Sequence, residues 1–168
     1  PEADYCYCDR CNERFEAWVV ARHERADGPP PERTTIEDRR AWRASVITGF
    51  IEAAAKLVPG RLHVTLHPDP DADRLHERSG IDLDAIEPLV DEFVVPLYDP
   101  AYATTYWLET IAGGFDSQLE TPFSVELYAV EVDIDALIRA ATVVESHADS
   151  VLFGYDAANG RAALRRRR

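Results

Sequence analysis

The sequence predicts an α/β chain built on about four parallel strands, arranged as a partial (β/α)8 barrel and preceded by two helices. Two observations carry that prediction. Strand-like runs start at Leu62, Phe93, Phe123 and Val151, so successive starts lie 31, 30 and 28 residues apart. That is the length of one βα unit in a barrel that spends about 250 residues on eight. Within the runs the side chains alternate: Leu62, Val64 and Leu66 form one face against His63, Thr65 and His67, and Phe123, Val125 and Leu127 oppose Ser124, Glu126 and Tyr128. Strands of an open doubly wound sheet are buried on both faces and read as continuous apolar runs. A barrel interior instead offers partners to polar side chains on one face.

The strands are expected at 62–67, 93–98, 123–128 and 151–155. Ahead of them, Asp9 is placed to cap a helix over roughly 9–26, in which Phe15, Trp18 and Val19 follow helical spacing. The run Asp27-Gly28-Pro29-Pro30-Pro31 stops it. Thr34 or Thr35 opens a second helix over 35–58 through Trp42, Val46, Ile47, Phe50, Ile51 and Leu57, ended by Pro59-Gly60. Further helices are expected at 83–90, with a shorter turn near 71–78, and at 104–112, 133–146 and 159–166. His23, His76 and His147 fall on these helices as surface residues.

A chain of 168 residues with 46% hydrophobic content suits a single domain, 1–168, with one core. It contains no methionine, and two helices come before its first strand. Both features lead to the expectation of a carboxy-terminal half-barrel whose amino-terminal half lies elsewhere. A homodimer, or association with that other half, would cover its open sheet edges.

Asp and Glu outnumber Lys and Arg 31 to 18, a formal charge of -13. This sign argues against nucleic acid, where affinity rests on neutralising phosphates, and against an acidic membrane surface. Lys56 is the only lysine, the other basic residues being arginines. An acidic, lysine-poor composition resembles the halophilic cytosolic proteins of salt-loving archaea, in which surface charge maintains solubility. No run approaches the ~20 apolar residues of a membrane span and no signal sequence opens the chain, so a cytoplasmic location is expected. The closing Arg165–Arg168 run reads as a solvated end.

In a barrel, chemistry gathers at the carboxy-terminal ends of the strands. The residues there are His67, Asp69, Tyr98, Asp99, Glu126, Tyr128 and Asp156, with Tyr102 close behind. Glu126, within Phe123-Ser124-Val125-Glu126-Leu127-Tyr128-Ala129, is a carboxylate on a strand, costly to bury without a role or a partner. Its plainer reading is a structural pair with an arginine or hydroxyl of the lumen. Between Leu97 and Trp107 four aromatic rings crowd a strand end. Rings beside carboxylates suit a sugar, whose C–H faces stack while its hydroxyls bond to acids. Tyr98 and Tyr102 are the better site candidates, Tyr106 and Trp107 reading as core residues of their helix. His67 and Asp69 lack a third ligand at a recognised metal spacing, and a substrate-contacting or structural His67 is the simpler reading.

All three cysteines lie in Cys6-Tyr7-Cys8-Asp9-Arg10-Cys11. Three thiols are one short of a closed zinc site, which normally takes four protein ligands. A redox pair of Cys8 and Cys11 is a second reading, although no strand is evident in Pro1–Tyr5 before it.

This motif, followed by Asn12-Glu13-Arg14-Phe15-Glu16-Ala17-Trp18, resembles the (β/α)8-barrel glycoside hydrolases, notably the zinc-containing β-galactosidases of family 42. The resemblance is specific over the motif and its helix and architectural beyond. It implies a structural zinc held by Cys6, Cys8 and Cys11 with a fourth cysteine from earlier in the barrel. It also implies a nucleophilic Glu at the end of the seventh strand and an acid/base at the end of the fourth. If the visible strands are the fifth to the eighth, Glu126 takes the nucleophile position, the acid/base has no counterpart, and the chain alone is inactive. His67, Asp69, Tyr98, Asp99, Tyr102, Tyr128 and Asp156 are then substrate contacts. The competing reading is a small, non-enzymatic zinc-binding or interaction domain organised by the three cysteines.

Overall fold

The computed structural model describes residues 6–26, 29 and 33–167. Apart from Pro29, the proposed break at Asp27–Pro31 lies outside them, as do Pro1–Tyr5 and Arg168. In chain order the elements are α1 (Asp9–Arg25), α2 (Ile36–Leu57), β1 (His63–Thr65), α3 (Ala72–Ser79), α4 (Leu83–Ile86) running into a 3₁₀ turn at Glu87–Leu89, β2 (Glu92–Leu97), α5 (Tyr106–Asp116), β3 (Phe123–Tyr128), α6 (Ile134–Val144), β4 (Ser150–Gly154) and α7 (Ala157–Arg166).

The four strands form one sheet in the order β1-β2-β3-β4. Every neighbouring pair is parallel. Each βα unit therefore steps the same way along the sheet, with no reversal of the kind that creates the crevice of a doubly wound fold. That is the progression expected of part of a barrel.

The alternation read from the sequence sorts the side chains as expected. Phe93, Val95, Leu97, Val125 and Leu127 are fully buried with Leu108, Ala112 and Phe115 of α5 and Leu137, Ala140, Ala141 and Val144 of α6. The opposite face carries Glu92, Val94 and Pro96 on β2, Ser124, Glu126 and Tyr128 on β3, and Ser150 and Leu152 on β4, with Leu152 exposed. Its polar groups near the strand starts satisfy one another. The Ser124 hydroxyl donates to Glu92 and lies 2.6 Å from the Ser150 hydroxyl, while Arg61 and His63 approach Glu92 at 3.4 and 3.6 Å.

Local chemistry sets the element starts. Thr35 and Asp38 form a reciprocal capping box on α2. Asp71, Asp82, Asp133 and Asp156 each accept backbone N–H groups at the starts of α3, α4, α6 and α7, satisfying donors that a first helical turn leaves free.

Several boundaries differ from expectation. Cys8, not Asp9, occupies the cap position of α1, with Asp9 as its first residue. β1 is three residues long because the chain turns at His67, whose carbonyl accepts the Asp69 N–H at 2.8 Å, between two prolines that cannot donate to a ladder. Helix α5 starts at Tyr106 and continues through Gly113-Gly114 to Asp116. Gly114 is required there, since a Cβ would lie 2.6 Å from the Pro70 ring. Tyr106, expected in the core, is 78% exposed, whereas Trp107 packs partly against it.

Helix α1 packs on α2 through Phe15, which is buried and 5.6 Å from the Trp42 ring. In turn α2 joins α3 through Arg40–Glu77 at 2.5 Å and Arg43 donating to the Arg78 carbonyl at 2.6 Å. The same helix leaves Val46 and Phe50 exposed. No helix of the described residues is long and apolar enough to cross a membrane.

Candidate functional site at the strand ends

At the carboxy-terminal rim of the sheet, on the face away from the helices, three tyrosines cluster beside one carboxylate. β3 presents Glu126 and Tyr128 at alternate positions, and Tyr98 follows the last residue of β2. The Tyr98 hydroxyl donates to Glu126 Oε2 at 2.5 Å and lies 3.4 Å from the Tyr155 hydroxyl. The rings of Tyr98, Tyr128 and Tyr155 form a closed set, with centroids 5.7 to 6.1 Å apart. Burial, with the Glu126 carboxylate and Tyr155 beside it, pushes the Tyr98 phenol well above its ordinary range. Tyr98 is therefore a permanent donor to Glu126 across ordinary pH.

Gly154 makes room for this arrangement, since a Cβ there would collide with Glu126 Oε1. The next residue, Tyr155, has a φ of 71°, a conformation rare for a bulky side chain and costing about 1–3 kcal/mol. Strict alternation from Ser150 would send residue 155 toward the helices, and the left-handed turn sends its ring to the open face instead.

The remaining expected contacts have other duties. Tyr102 is buried; its hydroxyl donates to the Leu97 carbonyl at 3.0 Å and accepts the Tyr128 N–H at 2.6 Å. It braces the ends of β2 and β3 and does not face a ligand, correcting the expectation that it contacts substrate. Asp99 accepts the N–H groups of Ala101 and Tyr102, and Asp156 those of Ala158 and Asn159. His67 lies 3.3 Å from an Arg78 nitrogen. Asp69 accepts the Asp71 N–H and stands 3.8 and 3.9 Å from Arg78 and Arg74. Of the expected residues the rim thus gathers Tyr98, Glu126 and Tyr128, and it adds Tyr155.

A second cluster lies at the start of α1. The Sγ atoms of Cys6, Cys8 and Cys11 all fall within 4.8 Å of one another, with Cys6 and Cys8 at 3.4 Å. A tetrahedral zinc with Zn–S bonds of about 2.3 Å holds its sulfurs about 3.8 Å apart, so the three thiols fit one face of such a site. They form a group that can hold a metal ion; among the described residues no fourth carboxylate, imidazole or thiol joins it. The Cys11 N–H lowers the Cys8 thiol from its usual value, helped by Cys6. The hydrogen bonds Cys11 makes with Cys6, then Cys8, push its own thiol up to about 11. Cys6 and Cys8 are exposed and Cys11 half-buried.

No family model, curated protein or solved structure matches this chain.

Proposed function

We propose that the chain is a glycoside hydrolase-like barrel component that binds carbohydrate at the strand ends, with Glu126 as the nucleophile-like carboxylate. The observation that carries this reading is the 2.5 Å hydrogen bond from Tyr98 to Glu126 inside a set of three tyrosine rings. A glycosidase nucleophile must be held in one orientation, which a phenol donor to one of its oxygens does. The exposed rings offer surfaces for the C–H faces of a sugar.

Among the described residues at the rim, no second carboxylate stands ready to complete the reaction. A retaining glycosidase needs a second carboxyl group about 5–5.5 Å from the nucleophile and an inverting one about 6.5–9.5 Å. On the open face Glu92 lies four residues below Pro96, the register partner of Glu126, or about 13 Å away along the strands. Asp99 and Asp156 are committed to backbone N–H groups. The second carboxylate would come from strands added beside β1 or β4, and the exposed Val46 and Phe50 of α2 would pack against the helices of those units.

An iminosugar cation, which mimics the charged sugar of the transition state, tests the site without turnover. Binding by the purified chain, reduced at least tenfold in Glu126→Gln, is expected, with no aryl glycosidase activity. Equal binding by Glu126→Gln, or hydrolysis at the same rate by both proteins, overturns the reading.

A second reading rests on the convergence of the three sulfurs: Cys6, Cys8 and Cys11 hold a structural zinc that ties the start of α1 in place. When bound, the metal would supply cross-linking at this corner rather than chemistry. It is compatible with the barrel reading and also with a non-enzymatic zinc-binding domain. Iminosugar binding separates these two, being expected only in the first.

A further inference from the structure

Among the described residues, one side chain of α2 grips the loop carrying Cys6 and Cys8 at the residue between them. The Arg39 guanidinium carbon lies 4.6 Å from the Tyr7 ring centroid and 4.3 Å from that of Phe15, so the cation is held between the two rings. Its Nη2 donates to Asn12 Oδ1 at 2.7 Å, and Asn12 Nδ2 donates to the Tyr7 carbonyl at 3.0 Å. The Arg39 Nη1 is buried and makes no hydrogen bond among the described residues, so the rings and the single amide bond hold the group. Tyr7 is the residue between the two cysteines, and both its ring and its carbonyl are fixed by this chain of contacts. Residues that orient the ligands of a metal site are worth about 10–100-fold in affinity, and a planar cation that stacks and donates at once is suited to the task.

We propose that Arg39 is a positioning residue for a thiolate-bound divalent metal, clamping Tyr7 so that the Cys6 and Cys8 sulfurs converge with Cys11. The inference rests on the metal reading above. It is tested on the complete chain, reduced and anaerobic, by titration with Co(II) followed by displacement with Zn(II). The thiolate-to-cobalt absorption reports ligation directly, and far-UV circular dichroism reports the fold.

The wild-type chain should bind one ion. Arg39→Gln should weaken binding 10- to 100-fold, with Arg39→Lys between them because it keeps the charge but not the fork. Asn12→Ala, which cuts the relay while leaving Arg39 in place, should weaken binding in the same direction, so that an unstable Arg39→Gln protein would not leave the matter open. Wild-type affinity in a folded Arg39→Gln or in Asn12→Ala overturns the clamp while leaving the metal reading intact. Absence of the thiolate-to-cobalt band from the wild-type chain overturns both.

Discussion

The cysteine loop and the strand rim are built in opposite ways. The three sulfurs come from six consecutive residues, on an exposed loop and the first turn of α1, and among the described residues Arg39 on α2 is the distant side chain that grips the residue between Cys6 and Cys8. At the rim, Tyr98, Glu126 and Tyr155 are separated by 28 and 29 positions, as 98 to 126 and 126 to 155, and they meet because parallel pairing aligns their strands over a fully buried core. The loop's geometry thus depends on a few polar and ring contacts, and the rim's on the packing of the whole sheet. Local support makes a site sensitive to single contacts, whereas sheet support makes it sensitive to the core.

Leu127→Ala bears on that contrast most strongly. Leu127 is fully buried between Glu126 and Tyr128 on β3, and removing its side chain should cost about 2–5 kcal/mol, read from urea unfolding. Where the variant remains folded, Co(II) affinity at the cysteines should stay at the wild-type value. A parallel fall in metal affinity would show that the two regions form one cooperative unit. Next in size is Gly154→Ala, whose added methyl must displace the Glu126 carboxylate. Overpacking of this kind costs about 1–3 kcal/mol, and iminosugar affinity should fall about tenfold while metal binding is unchanged. Unaltered iminosugar binding would show that the Glu126 geometry is not what recognises the ligand.

The same contrast governs what the sequence made legible. The cysteine cluster was readable because its thiols are neighbours in the chain, yet the contact proposed to hold it was not: Asn12 and Arg39 lie 27 residues apart, and nothing near Arg39 marks it among many arginines. The strands were readable from period-two alternation, and Glu126 from being a carboxylate on a strand. Tyr102 was misread because aromatic crowding does not reveal which rings face inward; Asp99 turns the chain so that Tyr102, at a φ of 46°, enters the core. Tyr155 was missed for a related reason, since alternation assigns it to the wrong face and only its left-handed backbone corrects that. Asp156 looked like a site residue, but an acid two residues past the end of β4 and immediately before α7 is already explained as a cap.

The smallest expected effect comes from Tyr102 itself and bears on whether the rim is held by its buried brace. Burial pushes the Tyr102 phenol up to about 12, with the Asp99 and Glu126 carboxylates acting in the same direction against the favourable Tyr128 N–H. The folded protein therefore keeps this proton more tightly than the unfolded chain, in which a tyrosine titrates near 10. Its contribution is complete below pH 10 and declines as the pH rises to 12, because the unfolded chain releases a proton that the native state retains. The decline from one such group is at most about 1.4 kcal/mol for each pH unit. Tyr98 is raised in the same sense and must be subtracted. Urea unfolding of Tyr98→Phe at pH 9, 10 and 11 should still show the loss, and the Tyr98→Phe, Tyr102→Phe double variant should be less stable at pH 9 yet flatter above pH 10. An equal slope in the two proteins would mean that Tyr102 does not hold its proton within the fold. In that case the brace between the ends of β2 and β3 would add nothing that depends on pH, and the support of the rim would rest on the buried packing that Leu127→Ala tests.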